Sequence, residues 1–267
     1  LGRHVINGML NKALLGQTVR TAIRMLDNVI DLNFYPTKEA ENANLRHRPI
    51  GLGQMGFQDV LFKLDIPFAS QAAIEMADYI GEVIGYYAIL ASCELAQEKG
   101  AYSSFKGSKW DRNIFPIDTI DILEQERGIK INVSRISRID WSQVRELVQE
   151  CGMRNSNVLS VAPTATISNI AGCYPCIEPM YRNLYVKSNI AGEFTIVNRY
   201  LIEDLKKLNL WNRQMLELIK YYDGELGMID AIPQNIKEKY KGAFEIDPIH
   251  LLHITAARGK WIDQSQS

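Results

Sequence analysis

Val158-Leu159-Ser160-Val161-Ala162-Pro163-Thr164-Ala165-Thr166-Ile167-Ser168 is the stretch on which the reading of this chain turns. Val158 to Ala162 is a short apolar run of the length of a buried strand. It passes through a proline into three hydroxyl residues interleaved with small or apolar ones. Such a loop, if it opens a helix, aims backbone N–H groups and hydroxyls at one spot. That is an anion site, with phosphate as the obvious ligand. A simple helix N-cap built from the same residues is an equal reading at this point.

Working outward, Asp140 with Gln143 resembles a capping box ahead of Val144, Leu147 and Val148, and Gly152 ends that helix. Further upstream, Leu15, Val19, Ala22, Ile23, Leu26 and Val29 recur at helical spacing between Leu14 and Ile30, and Asn33 to Pro36 stops them. A polar stretch runs from Thr37 to Arg48. Pro49 to Gly56 reads as a buried strand, or a strand entering a turn, with backbone packed closely around its glycines. A long helix is expected from the N-cap candidate Ser70 to a stop at Gly100. Ala73, Ala77, Gly81, Ala88 and Ala91 give it a small-residue face that lets a neighbour approach. Between Ala101 and Ile139 only Thr119 to Arg127 looks helical.

Downstream, Tyr181 to Lys187 is a strand candidate. Val197 to Leu208 and Asn212 to Tyr222 are helical patterns, and Pro233 and Asp247-Pro248 mark two further helix starts. Short buried strands alternating with longer helices argue an α/β architecture in one compact unit.

Composition narrows the function. The 267 residues are 46% hydrophobic and 23% charged, enough apolar surface for a full core, with a net charge of −1. No basic stripe points to nucleic acid, and no apolar run is long enough to span a bilayer. Four cysteines in so long a chain argue against a secreted disulfide scaffold and for a reducing, cytoplasmic compartment. The four histidines are scattered, and none sits in a nucleophile motif.

Two motifs compete with the loop for attention. Gly51-Leu52-Gly53-Gln54-Met55-Gly56 has dinucleotide-binding spacing, but Arg46 to Pro49 is no buried strand and no second strand ends in an acidic residue at the expected distance. A structural glycine-rich strand is the stronger reading; a dehydrogenase would bind a nicotinamide cofactor. Cys173-Tyr174-Pro175-Cys176 could be a redox dithiol, half a zinc site, or two packed thiols, the last being the commonest case.

Six segments, in order, resemble one family, the large subunit of ribonucleotide reductase. They are Arg48 to Gly53 with Met55-Gly56-Phe57, Met153-Arg154-Asn155-Ser156, Ala162 to Ser168, Ile177-Glu178-Pro179, Asn183 to Ser188, and Trp261-Ile262-Asp263-Gln264-Ser265. Together they reach across nearly the whole chain. The resemblance implies the second half of a ten-stranded α/β barrel of the ribonucleotide reductase and glycyl radical type, helix-rich, with residues 1–267 forming one partial domain. It implies that Thr164, Ala165, Thr166, Ile167 and Ser168 hold the diphosphate of a ribonucleotide substrate. Gly51, Gly53 and Gly56 become barrel backbone, and Arg154 and Asn155 brace a strand.

The family's chemistry starts at a thiyl radical on a cysteine within an Asn-Leu-Cys-Leu-Glu type motif, expected before Leu1 and not found here. The radical-relay tyrosines and the re-reducing cysteines are expected beyond Ser267. Cys173 and Cys176 do not match the family's catalytic cysteines. The resemblance therefore implies a piece of a class I ribonucleoside-diphosphate reductase with no catalytic residue, metal or cofactor of its own. A fragment of a longer protein is favoured over a split-gene product. Its expected partners are the remainder of the large subunit, a second large subunit, a metal-containing radical-generating small subunit and a thioredoxin or glutaredoxin type reductant. Alone it is expected to catalyse nothing and to expose unpaired strand edges. Two rivals stand beside this reading. The cobalamin-dependent class has a similar loop, often with glycine at the position of Ala165. A non-catalytic nucleotide-binding or assembly module would bind diphosphates without any partner.

Overall fold

The computed structural model describes residues 1–189 and 192–267. A short hairpin, β1 (Val5–Ile6) with β2 (Met9–Leu10), opens the chain. In α1 (Lys12–Leu32) the Asn11 side chain accepts from the Leu14 N–H and so caps the first turn. Leu15, Val19, Ile23 and Ile30 form its buried stripe. The polar stretch after it is not a loop: α2 (Lys38–His47) is a helix capped by Thr37, whose hydroxyl accepts from the Ala40 N–H. It buries no residue, so apolar periodicity gave no sign of it. A short α3 (Phe57–Lys63) follows the glycine-rich segment, and nearly all of it is buried.

The scaffold's spine is α4 (Gln71–Lys99), capped by Ser70 and ended by Gly100 at φ +85°. Its small-residue face does what the spacing predicts. A Cβ on Gly81 would stand 2.9 Å from the Trp261 ring, so only glycine lets the C-terminal segment come so near. α5 (Thr119–Arg127) and α6 (Ser142–Cys151) pack beyond it. The α6 cap differs from the expected box: Trp141 is the N-cap residue, and Asp140 accepts from the Ser142 N–H and hydroxyl.

α7 (Ile167–Ala171) is one short turn of helix. The strand candidate after it begins at Leu184, as β3 (Leu184–Asn189), and pairs antiparallel with β4 (Gly192–Val197). The next helix starts two residues later than Val197, as α8 (Arg199–Lys207), with Asn198 as its cap. α9 (Arg213–Tyr221), α10 (Gln234–Lys239) and α11 (Pro248–Gly259) complete the chain. Leu201, Leu205, Met215, Ile219, Ile236 and Tyr240 build a second core with Phe62, separate from the larger one around α1 and α4.

Between these layers lie three short parallel segments. Leu52 bridges Leu159, and Val161 bridges Gln266, which places residues 158–161 in the middle. The Leu52 N–H donates to the Val158 carbonyl (2.8 Å), and the Val161 N–H donates to the Ser265 carbonyl (3.0 Å). Parallel strands joined through long helical crossovers are the pattern of an α/β barrel wall. Gly51 and Gly53 are exposed and Leu52 bridges only Leu159 among the described residues, so the segment 50–54 is an edge here and not a fully buried strand.

Asp263 fixes the start of the central segment by accepting from the N–H groups of Val158 (2.9 Å) and Leu159 (2.8 Å). Burial nevertheless pushes its carboxyl up from about 3.8 to about 6. A folded value above the unfolded one means that Asp263 contributes stability below about pH 4 and that this contribution is lost as pH rises through about 6. Asp263→Asn should therefore gain about 2 kcal/mol relative to wild type between pH 4 and 7. Urea unfolding of both proteins across that range tests it; parallel pH profiles refute it.

Candidate anion-binding loop

The central parallel segment delivers Ala162 and Pro163 to the loop. Thr164 takes the left-handed conformation (φ +52°), which reverses the chain into α7. Its hydroxyl oxygen accepts from the Cys176 N–H at 2.7 Å. The Ser168 N–H donates to the Thr164 carbonyl (3.0 Å), and the buried Ser168 hydroxyl donates to the Ala165 carbonyl (3.3 Å). Asn169, which sequence reasoning did not single out, donates its side-chain N–H to the same carbonyl at 2.8 Å.

The five residues thus divide into two groups. Thr164 and Ser168 spend their hydroxyls largely on the shape of the turn. Ala165, Thr166 and Ile167 are exposed, and among the described residues no acceptor meets their N–H groups. The Thr166 side chain makes no capping bond, so the simple N-cap reading is not what the residues do. Three neighbouring amides and the Thr166 hydroxyl remain for an anion. Beside them opens a cleft of about 430 Å³, lined by Ala165, Ser168, Asn169, Tyr181, Tyr185 and Leu251 among others. Its size and mixed apolar and polar walls suit a small organic ligand.

Asp59 anchors the segment behind the loop. It is 1% exposed and accepts from the Tyr174 N–H (2.7 Å), the Tyr200 hydroxyl (2.8 Å) and Arg199 (3.2 Å). Burial, then Asp59, pushes the Tyr200 hydroxyl up to about 12. This cluster also disposes of the dinucleotide reading. Gly56 begins α3 with φ +78°, its N–H donates to the Tyr174 carbonyl (2.8 Å), and an Asp59 oxygen would lie 3.4 Å from any Cβ on Gly56. A buried carboxylate therefore sits against this helix start and would repel a pyrophosphate there.

Arg154 and Asn155 lie at the opposite end of the central segment. Asn155 is buried and bonded to Ser92, Asp27 and the Arg48 carbonyl; Arg154 reaches Asp27 and the carbonyls of Lys99 and Gly100. They brace the scaffold, as expected. Cys173 and Cys176 are free thiols, the first half-buried and the second buried, and burial raises both. Among the described residues no group of three or more His, Cys, Asp or Glu side chains could hold a metal ion, and no helix is long and apolar enough to cross a membrane.

Parallel segments feeding a donor-lined loop narrow the choice of relatives, and comparison decides among them. The sequence model of the ribonucleotide reductase barrel domain matches residues 1–267. This chain belongs to that family. The ribonucleoside-diphosphate reductase subunit alpha of Chlamydia trachomatis serovar D is 55% identical over 100% of this chain and 26% of its own length. The ribonucleoside-diphosphate reductase large chain of Schizosaccharomyces pombe is 38% identical over 98% of this chain and 31% of its own. The chain thus spans about a quarter to a third of these relatives. Among solved structures, the class Id ribonucleotide reductase alpha subunit of Actinobacillus ureae superposes with a TM-score of 0.69 at 23% identity, covering 93% of this chain and 39% of that one. That likeness fixes the fold: the three parallel segments and their helices belong to a ribonucleotide reductase barrel.

Proposed function

We propose that this chain supplies the substrate-phosphate loop of a class I ribonucleoside-diphosphate reductase. In that role Ala165, Thr166 and Ile167 donate backbone N–H groups to the diphosphate, the Thr166 hydroxyl adds a fourth donor, and Thr164 and Ser168 hold the turn that aims them. The observation that carries the reading is the row of exposed amides beside a nucleotide-sized cleft, at the end of a barrel segment. The relatives, a subunit alpha and a large chain of ribonucleoside-diphosphate reductases, favour class I over the cobalamin-dependent class.

The chain's own residues bind and orient, and they move no proton or electron in this reading. The radical cysteine, the radical-generating small subunit with its metal, a second large subunit and the thioredoxin or glutaredoxin type reductant come from elsewhere. We place the assembly in a reducing, cytoplasmic setting.

Equilibrium binding of a ribonucleoside diphosphate, with the matching nucleoside as control, tests the loop. The diphosphate should bind and the nucleoside should bind at least about tenfold more weakly, because charge-assisted hydrogen bonds are lost. Ala165→Asp sets a carboxylate among the donors at an exposed position. It should weaken the diphosphate by a further order of magnitude, about 1–2 kcal/mol, with an unchanged melting temperature. Equal binding of diphosphate and nucleoside would overturn the proposal.

A further inference from the structure

The Cys173-x-x-Cys176 pair remains without a role in the function above, yet its backbone grips both ends of the loop. The Cys176 N–H donates to the Thr164 hydroxyl oxygen at 2.7 Å, and the Cys173 N–H donates to the Ser168 carbonyl at 3.1 Å. The two sulfurs differ in setting. Cys173 is half-buried, whereas Cys176 is fully buried with Val161 and Ile177, its thiol 3.5 Å from the Ser267 carbonyl. An accessible thiol with a second thiol three residues on is the arrangement in which a first oxidation product is resolved into a disulfide.

We propose that Cys173 and Cys176 form a reversible intramolecular disulfide that loosens the phosphate loop, an inference that rests on the loop reading given above. The oxidant is a peroxide. The Cys173 sulfur attacks the O–O bond and becomes a sulfenic acid, and one water leaves. The Cys176 sulfur then displaces the remaining oxygen as a second water and the S–S bond forms. Two thiols lose two electrons and two protons, and the peroxide is reduced to two waters. A small-molecule dithiol reverses the step and takes up the disulfide on itself.

The coupling follows from geometry. An S–S bond is close to 2 Å long and holds both Cβ atoms about 4 Å apart. Closing it fixes the span from residue 173 to residue 176, the two residues whose N–H groups hold the ends of the loop, and so bears on the Cys176 N–H. That N–H is the one which fixes the Thr164 hydroxyl, and Thr164 is the left-handed residue on which the loop turns. Burial raises both thiols, so the reaction is slow at neutral pH and runs through the more accessible Cys173. Cys93 provides an internal control. It lies on the buried face of α4 against the Met153 sulfur at 3.6 Å, and burial raises it strongly.

The test treats the purified protein with hydrogen peroxide and maps its peptides by mass spectrometry without reduction. A Cys173–Cys176 peptide lighter by two hydrogens, restored by dithiothreitol, is expected, with Cys93 unmodified. Hydrogen exchange over residues 164–176 should quicken at least about fivefold on oxidation, as the amide pairing at Thr164 and Ser168 opens. Diphosphate affinity should fall about tenfold, the effect of losing one or two loop hydrogen bonds. In Cys173→Ser, both exchange and affinity should be the same before and after peroxide. Thiols that stay free or pass to sulfinic acid overturn the modification. A disulfide that leaves exchange unchanged overturns the coupling. If the reduced protein binds no diphosphate, the loop reading fails, and the disulfide and its exchange signature are still decided by the first two readouts.

Discussion

Asp27→Ala should unfold much of the scaffold's margin, with a loss of about 3–5 kcal/mol read from urea or thermal unfolding. Asp27 lies on the apolar stripe of α1, four residues after Ile23, and is fully buried. Arg48 donates to its carboxylate at 2.9 Å and to its carbonyl at 3.0 Å, and Asn155 donates at 3.1 Å. Arg154 (3.4 Å) and Lys99 (3.7 Å) add positive charge. Removing the carboxylate leaves the Arg48 guanidinium, 5% exposed, with only the half-exposed Asp31 as a carboxylate partner. A buried charge stripped of its partner costs more than the pair contributed. Asp27→Asn keeps the shape and some hydrogen bonds and should cost less, about 2 kcal/mol. Reversing the order of these two variants, or a loss under about 1 kcal/mol for alanine, would falsify the role given to Asp27. The effect should reach the loop too, because Asn155 ties this cluster to the start of the central segment.

What the sequence made legible follows the range of the interactions. α4 was readable from both ends, because Ser70 bonds its own helix three residues on and Gly100 carries the positive φ of a stop. The loop was readable because strand, proline and hydroxyl residues are contiguous. α2 was not, because a helix that buries nothing has no apolar stripe to show. β4 carries a period-two signal in Phe194 and Ile196, but Val197 beside them also begins a helical pattern, and the boundary lies two residues further on. The division of labour within the loop was invisible, since it depends on the Cys176 N–H, twelve residues downstream. Asp59 was the largest omission. Its partners lie 115 to 141 residues away, and one acidic residue at a helix start gives no hint of that. A charge on an apolar stripe is a local signal, and Asp27 could have been flagged by it.

Gly53→Val should be as damaging as Asp27→Ala, for a steric reason and with a sharper functional readout. A Cβ at Gly53 would lie 2.8 Å from the Ser160 carbonyl oxygen, 3.5 Å from the Ala162 nitrogen and 3.6 Å from the Val161 Cα. These are backbone atoms of the central segment, and no rotamer change moves them. Gly53 has an ordinary φ, so the cost is one of space and not of conformation. The segments must part, and the bonds from Leu52 N–H to Val158 and from Ser160 N–H to Leu52 lengthen or break. Overpacking with two bonds lost amounts to about 3–5 kcal/mol. Ala162 leads directly into Pro163 and Thr164, so the displaced backbone misaims the loop, and diphosphate binding should fall more than about tenfold even where the protein remains folded. Gly51→Ala is the control. Its Cβ would meet only the Ser160 Cβ closely, at 3.0 Å, a contact relieved by a shift of a few tenths of an ångström, and a loss of about 1 kcal/mol is expected. Were Gly51 and Gly53 equally sensitive in binding, with stability unchanged in both, the glycines would be approaching a ligand and not a strand, and the dinucleotide reading would return. A stability loss confined to Gly53 leaves them as barrel backbone.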